Sequence, residues 1–84
     1  MPSSLTDPAY RAFVAHLVDL RRRAGLTQRQ LAARLDRQQS YVAKSERCER
    51  RLDPAEFRAF VLAIGADPAA EFAAVSVALT LADG

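Results

Sequence analysis

Apolar residues recur along this chain at helical spacing in successive bursts, and each burst is opened by a polar or acidic residue. Tyr10, Phe13, Val14, Leu17 and Leu20 form the first stripe. Asp7 followed by Pro8 reads as an N-cap and first helical residue, and Gly25 as the residue just past the end, so a helix is predicted from Pro8 to Ala24. The second burst is announced more sharply. Thr27 is a good N-cap, Gln30 completes a capping box, and Leu26 and Leu31 make a hydrophobic staple. Leu31, Ala32 and Leu35 share one face until Asp36 interrupts, giving a helix from Gln28 to Leu35. From Gln39 to about Arg47 the period resumes with Val42 inward, placing Gln39, Ser40, Ala43 and Lys44 on the outer side. Leu52, Asp53, Pro54, Glu56 and Phe57 repeat the staple, cap and carboxylate signals. A fourth helix follows with Phe57, Phe60, Val61 and Ile64 inward, closed by Gly65.

Asp67 and Pro68 open a fifth segment by the same device. Phe72, Val75, Leu79 and Ala82 fit one helical face, but Val75, Val77, Leu79 and Leu81 also alternate as a strand would, leaving residues 75–82 open between the two. Helix is the preferred reading, and the fold class expected is all-α with five helices. Residues 1–7 are expected to be a flexible tail, 8–66 a helical domain, and 67–84 a C-terminal helix of the same domain. Val77 and Leu81 lie off the main stripe, leaving apolar surface that a domain this small does not bury by itself. A homodimer contact through Phe72, Val75, Val77, Leu79 and Leu81 is therefore expected.

Charge changes the picture. The net charge is +2, yet the window from Arg21 to Arg51 holds ten of the twelve basic residues and three of the ten acids, a local excess of seven positive charges. The remainder carries an excess of five acids. A solvated basic face and a phosphate-binding patch both fit such a window; its coincidence with two short helices joined by a tight turn favours nucleic acid.

A single cysteine excludes an intramolecular disulfide and suits a reducing cytosol. Cys48 sits among Arg47, Arg50 and Arg51, where a thiol can become redox-reactive, although most single cysteines are inert. No membrane span is expected, because the most hydrophobic stretch, Ala69 to Ala82, is short and contains Glu71. His16 has no carboxylate partner at suitable spacing, and the sequence contains neither metal-ligand spacing, a glycine-rich phosphate loop, nor a nucleophile with its base. Neither a cofactor nor an enzyme activity is expected.

Over Leu20 to Asp67 the sequence resembles the Cro and lambda-repressor-like (XRE) helix-turn-helix family. The resemblance rests on Arg21, Gly25, Leu26, Thr27, Gln28, Leu31, Ala32, Leu35, Val42 and Glu46, with a helical hairpin of the expected length after them. It departs where the family's turn glycine is Asp36, where the residue after the recognition helix is Cys48, and where a usually apolar residue is Ser45. The resemblance implies that Arg21 pairs with Glu46, clamping the first helix to the third.

It also implies double-stranded DNA as partner and the third helix as the reader of the major groove. Gln39, Ser40, Ala43 and Lys44 are the candidate base contacts, since a glutamine amide matches adenine and a lysine can reach guanine or a phosphate. Gln28, Arg29, Arg37, Gln38, Arg47, Arg50 and Arg51 are the candidate backbone contacts. Tyr41 either stacks on a sugar or packs toward the second helix. The function implied is a dimeric cytoplasmic repressor on an inverted repeat; an antitoxin holding a small protein partner through its apolar C-terminal segment is the alternative.

Overall fold

The computed structural model describes residues 7–83, and of the expected N-terminal tail, residues 1–6 lie outside the described residues. Five helices follow one another: α1 (Pro8–Arg23), α2 (Gln28–Arg34), α3 (Gln39–Glu46), α4 (Pro54–Ile64) and α5 (Pro68–Asp83). No strand occurs among the described residues, so the alternation at 75–82 is resolved as helix. Four helices begin with the caps that the sequence predicts, α5 with the Asp67 carboxylate accepting the Ala69 N–H at 3.3 Å. The Asp7 carboxylate accepts the Ala9 N–H at 2.9 Å, and both Thr27 with Gln30 and Asp53 with Glu56 close reciprocal capping boxes.

The first four helices end in one way. Gly25, Asp36, Cys48 and Gly65 all have positive φ. At each, the next residue's N–H returns to the carbonyl five positions earlier: Leu26 to Arg21, Arg37 to Ala32, Glu49 to Lys44 and Ala66 to Val61. This closure satisfies orphan carbonyls and demands a left-handed residue. Two of the four are not glycine, and both are family departures noted above.

One core joins all five elements. Leu17 and Leu20 of α1, Leu31 and Ala32 of α2, Val42 of α3, Phe57, Phe60, Val61 and Ile64 of α4, and Val75 of α5 pack together, with Leu52 from the loop before α4. Phe13 bridges Tyr10 and Phe57 with ring centroids 5.6 Å and 5.4 Å away. α5 lies chiefly along α1. Two expectations are corrected here. Val75 is 0% exposed, so it belongs to the core and not to a dimer surface. His16, expected to lack a carboxylate partner, meets Glu71 of α5 at 2.9 Å, a pairing across 55 residues that sequence spacing cannot show.

Candidate nucleic-acid interface

α2 packs against α3 and leaves the first turn of α3 standing out from the body. The reason lies at the other end of the helix. Arg21, at the last turn of α1, donates from Nε to Glu46 Oε2 at 2.6 Å and from Nη2 to Oε1 at 2.9 Å. Its Nη1 donates to the Leu26 carbonyl at 2.7 Å. The two side chains are only 8% and 10% exposed. A buried fork of this kind, with every arm used, fixes α1, the α1–α2 turn and α3 in one register.

The clamp continues to the surface. Glu46 Oε1 also accepts from Gln28 Nε2 at 2.8 Å, and Gln28 Oε1 accepts from Gln39 Nε2 at 2.8 Å. Gln39 is exposed, yet its amide is held by a chain of hydrogen bonds that starts on a buried arginine. One N–H of that amide is used, and its second N–H and its carbonyl oxygen remain available on an exposed side chain.

Ser40, Lys44, Gln38, Arg29, Arg37, Arg47 and Arg51 are exposed, and Gln28 is half-buried. Ala43 is not part of this outer set. It is 5% exposed and lies beside Val42 on the inner side, so its assignment to the base-facing side is corrected. The eight residues of α3 are covered on both flanks, by α2 and by the loop and helix that follow, which narrows the outward strip to Gln39, Ser40 and Lys44. Ser45, where the family has an apolar residue, is 1% exposed. Its hydroxyl donates to the Tyr41 carbonyl at 2.7 Å, which removes the cost of burying it.

The basic loop after α3 is less free than its composition suggests. Arg47 pairs with Glu49 at 2.6 Å on the surface. Arg51 lies over the Tyr10 ring at 4.8 Å, and the Tyr10 hydroxyl accepts the Leu52 N–H at 2.8 Å, tying the loop to α1. Arg50 turns inward: Nη2 pairs with Glu56 Oε2 at 2.7 Å and the guanidinium lies 4.4 Å from the Tyr41 ring centroid. In the free protein Tyr41 packs toward α4. Its hydroxyl donates to Glu56 at 2.8 Å and its ring meets Phe60 of α4 at 5.8 Å. Sequence reasoning read Glu56 only as a helix cap. Nothing local links it to Tyr41, fifteen positions away.

Burial raises the Tyr41 hydroxyl pKa, and the bond to Glu56 adds to the rise. Burial pushes the Glu56 carboxyl up, but the Asp53 N–H, the Tyr41 hydroxyl and Arg50 together hold it below its ordinary value.

A buried Arg–Glu clamp, a capped α2 and an exposed polar start to α3 thus stand together on one side of the molecule. The family model described as "Helix-turn-helix domain" matches residues 12–75. A solved structure, the XRE-family like protein from Pseudomonas syringae pv. tomato str. DC3000, is 46% identical, with 82% of this chain and 84% of that chain covered and a TM-score of 0.79. The chain belongs to the XRE-type helix-turn-helix family. No curated protein matches the sequence. Membership makes this XRE-type domain a DNA-binding regulator by class, a class that is generally not enzymatic. No single helix among the described residues is long and apolar enough to cross a membrane.

Proposed function

We propose that this XRE-type protein is a sequence-specific regulator that reads the major groove with the first turn of α3. The observation that carries the reading is the tethered Gln39 amide. Its Nε2 gives one hydrogen to Gln28, so the second hydrogen and the carbonyl oxygen match N7 and the N6 amine of adenine. Ser40 and Lys44 flank it on the same strip, and Gln28, Arg29, Arg37, Gln38, Arg47 and Arg51 surround it as phosphate contacts. Arg50, engaged with Glu56, belongs to the scaffold in the free protein.

A dimer on an inverted repeat, acting as a repressor by occluding a promoter, is the simplest assembly of this reading head. Phe72, Val77 and Leu81 are 55%, 61% and 76% exposed on α5 and supply an apolar surface for it, with Leu79 partly buried beside the core. The same surface supports the second reading, an antitoxin-like regulator that holds a small protein partner.

Selection of bound duplexes from a random library tests the proposal. A palindromic motif with half-sites about one helical turn apart is expected. Gln39→Ala should relax preference at one base pair by about 1–3 kcal/mol, whereas Arg29→Ala should weaken all duplexes alike. Enrichment of no motif at all would falsify sequence-specific reading.

A further inference from the structure

Tyr41 lies on α3 next to Ser40, but its side chain packs toward α4. Two guanidiniums lie against its ring, that of Arg37 at 4.6 Å and that of Arg50 at 4.4 Å from the centroid. Its hydroxyl and Arg50 Nη2 converge on the same oxygen of Glu56, at 2.8 Å and 2.7 Å. The other Glu56 oxygen accepts the Asp53 N–H at 2.9 Å, so the carboxylate is anchored on the first turn of α4. Arg50 Nη1 is buried without a partner. Arg37 differs: among the described residues no carboxylate lies within ion-pair distance of it, and it is exposed at the turn leading into α3. Its backbone is fixed by the N–H to Ala32 bond at 2.9 Å.

We infer that Tyr41 is a positioning residue for DNA binding, which holds the Arg37 guanidinium beside the start of the recognition helix while Arg50 packs on its ring and Glu56 holds its hydroxyl. The inference rests on the DNA-binding reading above. A flexible arginine loses rotamer freedom when it grips a phosphate, and an aromatic face that already confines it reduces that loss. Arg37 keeps its charge for the phosphate, because its partner in the free protein is a ring and not a carboxylate. Arg50 is committed to Glu56 and stays with the scaffold.

The test combines a double-mutant cycle with a salt titration, on the duplex recovered by selection and on a random duplex. Tyr41→Leu should weaken binding about fivefold to tenfold, and Tyr41→Phe, which keeps the ring, by less than half of that on a logarithmic scale. In the Arg37→Ala background Tyr41→Leu should cost less than twofold. The slope of log K against log salt should flatten by about 0.9 for Arg37→Gln and stay unchanged for Arg50→Gln. Equal losses from Tyr41→Leu with and without Arg37 would mean that Tyr41 touches DNA directly, and would overturn the inference. Flattening by Arg50→Gln would overturn the role given to Arg50. Side-chain NMR of the free protein gives a readout independent of DNA and of folding changes in the variants: Arg37 and Arg50 δ-protons should be shifted upfield by the Tyr41 ring in the wild-type chain, and ordinary shifts for Arg37 would likewise overturn it. Loss of all binding by the wild-type chain would instead remove the DNA-binding reading, with the NMR result still deciding the contact.

Discussion

Cys48 holds a backbone conformation that its side chain disfavours. Its φ of 59° lets the Glu49 N–H reach the Lys44 carbonyl and close α3. A residue with a Cβ in this region costs about 1–2 kcal/mol, whereas glycine adopts it freely but loses more entropy on folding. Cys48→Gly is therefore expected to stabilise the fold by about 0.5–1 kcal/mol, seen as a rise of a few degrees in the thermal midpoint. An unchanged or lower midpoint would show that the half-buried thiol makes contacts worth more than the strain. Asp36, at φ 56°, occupies the same position after α2. Aspartate tolerates that region better than cysteine, so Asp36→Gly should gain less.

Between elements, two polar contacts decide where α3 sits. Replacing Arg21 by methionine leaves the Glu46 carboxylate and the Leu26 carbonyl without their arginine partner, and a loss of about 3–5 kcal/mol is expected in denaturant unfolding. Arg21→Met combined with Glu46→Leu should recover much of that loss, since no unpaired charge then remains buried. If the double replacement were as unstable as the single, the clamp would be contributing attraction and not only register. Glu56 joins α3 to α4. Its carboxyl is held below the ordinary value of 4.5 in the folded chain, so its contribution to stability is complete above that value and is lost as the pH falls below it, through the lowered folded value. Thermal midpoints measured from about pH 6 down to about pH 3 should fall more steeply for the wild-type chain than for Glu56→Gln.

For the molecule as a whole, α5 separates into two faces with different partners. Val75 completes the core, the Phe72 ring reaches Phe57 at 6.1 Å, and Glu71 meets His16, while Val77 and Leu81 face outward. A chain of this size gains from covering such a surface by association. If α5 is the dimer contact, the wild-type chain should sediment as a dimer at tens of micromolar in analytical ultracentrifugation, and Val77→Asp with Leu81→Asp should leave a folded monomer there. A monomeric wild-type chain would point to a different protein as the occupant of that face.

Helix positions and the family were legible in the amino-acid sequence because the signals are local. Thr27 and Gln30, or Asp53 and Glu56, lie three residues apart and close on each other within one turn whatever the rest of the chain does. Helical spacing likewise gave the inner residues Val14, Leu17, Leu31, Val42 and Val61. Spacing failed for Ala43, because a helix packed on more than one side buries a wider arc than a single stripe predicts; Val75 lies on the helical face that spacing gives, and the core takes it in place of a dimer surface. Spacing also could not pair residues far apart in the chain. His16 with Glu71, Tyr41 with Glu56 and Tyr10 with the loop before α4 are joined only by the way the helices pack. The sequence by itself therefore determined the first four helices, the basic window and the helix-turn-helix family. Tertiary structure alone decided which of that window's arginines remain free and which are held by rings and carboxylates, since that depends on contacts between groups brought together only by packing around the shared core.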